Sequence, residues 1–277
     1  MKQTTLTLLF LINIMSLSSV LAADNGFPGR KKFPDIPVVE KEQLLKIIDD
    51  VVIVDARSPL EFKTLRIKGA VNIPVANKTF VDDVKALRAK NSKPIVFYCN
   101  GRTCMKSYIA SKKCLKAKIN NVSAYDAGMF EWAQAYPYQA ELFGVSPVNK
   151  SDIIPSARFK ARLIPPEKFG ANIFRDTSKN LVLDVRDKFQ RGAAGFFPGK
   201  EAWISLDKEE QLRNYIYKAR KANKTIYIYD EVGKQVRWLQ YALESADMKN
   251  YYFMKKGAKA YYANMMKEMG ISTINLK

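Results

Sequence analysis

Histidine is absent from all 277 residues. Without an imidazole there is no Ser-His-Asp triad, no His-ligated zinc and no histidine general base. Cysteine is scarce, at three residues, which excludes a disulfide-stapled miniprotein. Glycine and proline, 13 and 12 residues, are too sparse for a collagen-like or low-complexity chain. Past residue 22 no apolar run approaches membrane-spanning length. Acid is short relative to base, with 27 acidic against 46 basic side chains and a formal charge of +19. The basic excess is spread over both halves, with no basic tail and no nucleic-acid motif. It therefore reads as a cationic surface that favours small anionic substrates, not as a nucleic-acid binder.

What is present is an ordinary globular mix, 47% hydrophobic and 26% charged, long enough for two medium-sized domains. The N-terminus reads as a cleavable secretory signal over residues 1–22. Lys2 is followed by a mostly apolar run from Leu6 and then by the small-residue stretch Val20-Leu21-Ala22-Ala23. Asn13 and several hydroxyl residues weaken that run as a permanent anchor. The expected product is exported, periplasmic or secreted, with no stable membrane insertion after cleavage.

The remainder repeats itself. Val51-Val52-Ile53-Val54-Asp55-Ala56-Arg57 matches Leu181-Val182-Leu183-Asp184-Val185-Arg186, with Asp55 on Asp184 and Arg57 on Arg186, an offset of 129. Pro94–Cys99 matches Thr225–Asp230 at an offset of 131, and Gly128–Trp132 matches Gly257–Tyr261 at 129 again. Two homologous halves follow, one with two extra residues just past position 99. Strands are predicted over Val51–Asp55, Pro94–Tyr98, Leu181–Val185 and Thr225–Tyr229, as short β-branched runs of the kind buried in parallel sheets. Helical spacing covers Lys41–Ile48, Val81–Lys90, Met105–Leu115 and Phe130–Ala135, then Lys208–Ala222, Gln235–Ser245 and Ala258–Lys267. Alternation of this kind predicts an α/β fold in each half, a mostly parallel sheet flanked by helices. The halves are assigned to 38–143 and 167–277, with a proline-bearing linker over 144–166.

The segment from Phe97 to Ser107 carries the strongest chemical signal. It leaves a buried strand and enters a helix, so backbone N–H groups and the positive end of the helix dipole converge on one small concavity. Cys99, at the strand tip, is expected to have a lowered pKa and to stand as a thiolate. Asn100, Gly101, Arg102, Thr103, Met105 and Lys106 are the candidate substrate-binding residues, with Arg102 and Lys106 as cationic donors for an anion. Cys104 is open between a resolving thiol, a shared nucleophile and a loop-lining residue. Cys114, among lysines in the following helix, reads as inert. Asp55 and Arg57 read as structural, since the same pair recurs at Asp184 and Arg186. The aromatic pairs Phe196-Phe197, Tyr251-Tyr252 and Tyr261-Tyr262 read as core and domain-interface packing. No metal or cofactor is called for, and nothing specifies a protein partner.

With these residues in place the chain resembles the rhodanese family of sulfurtransferases, as a tandem of two rhodanese-like domains. The likeness rests on Asp55-Ala56-Arg57 with Glu61-Phe62, on Ile67-Lys68-Gly69-Ala70-Val71-Asn72-Ile73-Pro74, on Cys99 at its strand end and on Gly128–Trp132. It implies that Cys99 takes sulfane sulfur from a small anionic donor such as thiosulfate and passes it, as a persulfide, to a thiol-type acceptor or cyanide. Three departures stand out. Arg66 replaces a common histidine. The loop runs eight residues from Cys99 to Ser107 where six is usual, and this is the two-residue insertion found above. Asp230 replaces the nucleophile of the second half, which should therefore be catalytically silent. The alternatives are a thiol–disulfide oxidoreductase using Cys99 and Cys104, and a non-catalytic sulfur carrier or binding module. A phosphatase loop would need arginine at position 105, where methionine stands.

Overall fold

The computed structural model describes residues 26–192 and 195–270, so the signal-peptide assignment at 1–22 lies outside the described residues. The first half runs α1 (Pro28–Lys32), α2 (Lys41–Lys46), β1 (Val52–Asp55), α3 (Pro59–Thr64), β2 (Leu65–Ile67), β3 (Val71–Asn72), α4 (Phe80–Lys90), β4 (Ile95–Tyr98), α5 (Lys106–Lys116), β5 (Val122–Tyr125), α6 (Gly128–Ala135) and β6 (Ala140–Leu142). After it come α7 (Ser156–Lys160), β7 (Leu163–Ile164), α8 (Pro166–Arg175), β8 (Asn180–Asp184), α9 (Lys188–Arg191), β9 (Glu201–Trp203), α10 (Glu209–Lys221), β10 (Thr225–Tyr229), α11 (Val236–Ser245), β11 (Tyr251–Met254) and α12 (Gly257–Glu268). Among the described residues no helix is long and apolar enough to cross a membrane.

The two sheets share one plan. In the first the order is β3-β1-β4-β5, all parallel, and Val38 bridges to Ala124 on the outer side of β5. In the second it is β9-β8-β10-β11, also parallel, and β7 takes the place beside β11 that Val38 takes beside β5. The central strands are continuous apolar runs because helices cover both faces. All of Ile95–Tyr98 and all but the first residue of β10 are buried. The sheet of the second half thus begins at Leu163, inside the stretch assigned to the linker, because Phe253 and Met254 pair with Leu163 and Ile164. β2 and β6, too short to show a period, make a separate two-stranded antiparallel ribbon.

The aromatic pairs divide differently from the expectation. Phe196 and Phe197 both pack on Tyr261 at 5.1 Å, and Tyr227 stacks on Tyr252, all within the second half. The junction is made instead by Phe130 of α6, stacked on Trp238 of α11 at 5.2 Å, with Arg237 over the Phe130 ring at 3.9 Å. Trp238 also lies over the Arg57 guanidinium, 5.0 Å from its ring centroid, so α11 closes the back of the first-half site.

Candidate active site

Asp55 ends β1 and is fully buried, as is Arg57 two residues on. Arg57 Nε and Nη2 both reach the Asp55 carboxylate, at 2.9 and 2.6 Å, and Nη2 also donates to the Leu65 carbonyl. Removing one partner of such a pair strands a buried charge and typically costs about 3–5 kcal/mol. The remaining guanidinium nitrogen, Nη1, donates to Asn100 Oδ1 at 3.1 Å. Asn100 Nδ2 in turn donates to Glu61 Oε1 at 2.7 Å, and Lys106 Nζ reaches Glu61 Oε2 at 3.2 Å. Glu61 is held by its own helix start, where Ser58 and Glu61 form a reciprocal capping box. Burial would raise the Glu61 pKa, but Arg57 and Lys106 outweigh it and hold the carboxyl down at about 2. Glu61 therefore ties both ends of the β4–α5 loop to β1 and α3 through fixed charge.

The two loop thiols lie at different depths, Cys99 buried and Cys104 half-buried. Cys99 has no solvent exposure, and its Sγ donates to the Cys104 carbonyl at 3.3 Å and faces Ser107 Oγ at 3.7 Å. Burial pushes its pKa well above the ordinary thiol value, which corrects the expectation of a Cys99 thiolate. A strand-tip position alone does not lower a thiol that is also sealed from water. Cys104 is half-buried. The Cys104 N–H donates to the Gly101 carbonyl at 2.8 Å, a turn that folds the loop back on itself. The neighbouring Cys99 side chain, the amides of Lys106 and Asn100 and the Lys106 charge together bring the Cys104 pKa down to about 6, against a burial effect that opposes them. The first two amides of α5 divide the work, Lys106 serving Cys104 and Ser107 serving Cys99. Cys114 is buried in the core and pushed up to about 12 by burial, as an inert thiol would be.

The other candidates separate into three groups. Asn100, Gly101 and Lys106 shape the cradle. Arg102 does not aim into it: Nη2 pairs with Glu131 at 2.9 Å and the guanidinium lies 4.5 Å from the Phe27 ring centroid. Met105 packs beside Ile36, Tyr108 and Ala124, and Thr103 is exposed. Two functional positions escaped assignment to the site. Glu61 had a readable cue in the Ser58-x-x-Glu61 spacing of a capping box. Gly128 had one in its repeat at Gly257. It starts α6 at φ +76°, and a Cβ there would stand 2.3 Å from Gly101 N. The loop is seated directly on that glycine. Gly257, at φ +62°, bears the same relation to the second loop, where a Cβ would meet the Asp230 carbonyl at 2.4 Å.

The second loop encloses a carboxylate of its own. The Asp230 carboxylate accepts from the amides of Val232 (3.0 Å), Lys234 (3.1 Å), Gln235 (2.5 Å) and Val236 (3.1 Å), and from that of Gly233. Five N–H groups close on the chain's own anion. The Asp184–Arg186 pair recurs beneath it, with Nη2 to Oδ2 at 2.8 Å. A cleft of about 330 Å³ between the halves, lined by Leu60, Phe143, Leu212, Ile216 and Trp238, includes neither loop thiol. Among the described residues no group of three His, Cys, Asp or Glu gathers as a metal site.

Residues 40–135 match the family model described as Rhodanese-like domain, a span that contains the whole β4–α5 loop. A search of curated proteins finds no match. Among solved structures, the chain is similar to a thiosulfate sulfurtransferase from Pseudomonas aeruginosa, at 15% identity over 87% of this chain and 67% of that one, with a TM-score of 0.34. It is also similar to a rhodanese-related protein from Thermoplasma volcanium, at 20% identity over 36% of this chain and 92% of that one, TM-score 0.31. A third is a protein from Bacillus halodurans, at 18% identity over 45% and 89%, TM-score 0.35.

Proposed function

With residues 40–135 a rhodanese-like domain, we propose that the chain is an exported sulfurtransferase whose sulfur-accepting thiol is Cys104. The domain supports sulfurtransferase-type chemistry. The choice of thiol is carried by one observation: Cys104 is half-buried and within reach of a small anion, whereas Cys99 has no solvent exposure. The Cys104 thiolate attacks the sulfane sulfur of thiosulfate, the sulfur–sulfur bond breaks and sulfite leaves with the electron pair. An anionic persulfide remains on Cys104, placed where the amides of Lys106 and Asn100 and the Lys106 charge favour negative charge. A thiol or cyanide acceptor then takes the outer sulfur and regenerates the thiolate. The second half is silent, since a carboxylate cannot carry sulfane sulfur and Asp230 already fills its loop. The apolar run ahead of Ala22 supports placing this activity outside the cytoplasm.

The test is sulfite release from thiosulfate with cyanide as acceptor. The wild type is expected to turn over, Cys99→Ser to retain turnover, and Cys104→Ser to fall to background. A Cys104→Ser protein that still releases sulfite with Cys99→Ser inactive would return the nucleophile to Cys99.

A further inference from the structure

Transfer to an external acceptor uses one thiol, yet the cradle holds two. Cys99 lies on the floor of the loop, closed to solvent, so no donor or acceptor in solution reaches it. Its neighbour in the loop is Cys104, whose carbonyl it contacts at 3.3 Å. Both are free thiols. The Cys104-to-Gly101 turn, with Asn100 pinned by Arg57 and Glu61, holds the Cys104 backbone against the Cys99 sulfur. Such fixed proximity favours an intramolecular reaction over a bimolecular one. A persulfide on Cys104 keeps its inner sulfur beside Cys99 while its outer sulfur takes up the more open side.

On the reading that Cys104 accepts the sulfur, we propose that Cys99 resolves the Cys104 persulfide from beneath, releasing hydrosulfide and leaving a Cys99–Cys104 disulfide. The protein thereby reduces sulfane sulfur to sulfide at the expense of an external dithiol. The Cys99 sulfur attacks Cys104 Sγ, a Cys99–Cys104 bond forms, and the bond to the outer sulfur breaks with its electron pair on the outer sulfur. That sulfur takes the Cys99 proton and departs as hydrosulfide. Three sulfurs, one proton and one negative charge stand on each side. The persulfide thus supplies its own base, so a Cys99 that stays protonated at neutral pH is a proton source and no obstacle. A dithiol then attacks the half-buried Cys104 sulfur, frees Cys99 and closes its own disulfide. Overall, thiosulfate and a dithiol give sulfite, hydrosulfide and a disulfide.

The experiment gives the full-length wild type thiosulfate with no thiol or cyanide present, and follows hydrosulfide release and non-reducing intact mass. The wild type is expected to release one equivalent of hydrosulfide, to lose the mass of two hydrogens, and to yield a peptide pair joined at Cys99 and Cys104. Cys99→Ser and Cys99→Ala are expected to gain one sulfur atom and release none. A wild type that keeps the added sulfur and releases no hydrosulfide overturns the relay and leaves sulfur acceptance by Cys104 standing. Failure of the wild type and both Cys99 variants to take up sulfur or release sulfite overturns the Cys104 assignment, and the relay with it. The wild-type measurement decides the relay even where a Cys99 variant does not fold.

Discussion

Replacing Cys99 by alanine removes the largest influence on the Cys104 thiolate without touching the exposed face of the loop. A fall from the ordinary thiol value of 9 to about 6 corresponds to about 4 kcal/mol of preference for the anion, at 1.36 kcal/mol per tenfold change in acidity. The Cys99 thiol contributes most, followed by the amides of Lys106 and Asn100 and the Lys106 charge, against burial. A hydrogen bond to a charged acceptor contributes about 1.5–3 kcal/mol, so its loss moves the Cys104 midpoint up to about 7–8. The sign is fixed: the thiolate exists above its midpoint, so wild-type reactivity climbs as pH rises through about 6, and that of Cys99→Ala climbs later. Cys99→Ser keeps a donor in place and shifts less.

The assay is the rate of iodoacetamide alkylation at Cys104 against pH, read by peptide mass. Burial pushes Cys114 up to about 12 and Cys99 well above the ordinary value, so one thiol titrates in the accessible range. The two curves must also cross. A thiolate of higher pKa is intrinsically more nucleophilic, with a Brønsted slope of about 0.4–0.5, so fully ionised Cys99→Ala reacts about 3- to 8-fold faster than wild type. Slower at pH 6 and faster at pH 9, with a midpoint still below the ordinary thiol value, is the signature of a lost neighbour; a general loss of structure would return the midpoint to about 9. A Cys99→Ala midpoint unchanged from the wild type, or a wild type that titrates near 9, refutes the account of the cradle.

Gly128→Ala forces a side chain onto a φ of +76° and drives a Cβ against the backbone of Gly101. It is expected to cost about 1–3 kcal/mol in strain alone and to raise the alkylation midpoint of Cys104, measured together by urea unfolding and alkylation. Asp230→Ala strips the carboxylate from five amides at the start of α11. A loss of about 2 kcal/mol is expected, at the upper end for a helix N-cap. Added sulfate should return part of it in urea titrations, because an anion that enters the vacated ring binds only the folded state.

Much of the fold was open to sequence reading because two strong signals reinforced each other. β1, β4, β8 and β10 are buried on both faces, so their apolar runs are continuous, and each recurs at a near-constant offset. The elements that escaped are those whose existence depends on a neighbour. β7 is two residues long and stands only because β11 is there to pair with it, and β2 and β6 are three residues each. At the site, the position of the loop and the structural role of Asp55–Arg57 follow from local pattern. The ranking of the thiols does not. It depends on which way the chain turns after Gly101, a long-range matter decided by Gly128 pressing from α6 and by Glu61 gripping Asn100 and Lys106.

The two halves act as one experiment with a single variable. Both place an Asp–Arg pair under the central strands, a glycine of positive φ at the start of the closing helix, and a loop whose amides converge. In the second half the residue at the strand tip is long enough, and charged enough, to collect five amides by itself. The thiol that replaces it in the first half is shorter in reach and neutral, so by itself it satisfies little of that field. The two inserted residues bring a second sulfur, that of the half-buried Cys104, in from the loop. An anion is what the fold demands at this point. On the proposed reading, aspartate meets the demand permanently and leaves no group for sulfur to join, whereas Cys104 would meet it with a charge that can enter a reaction, above a Cys99 thiol that is closed to solvent.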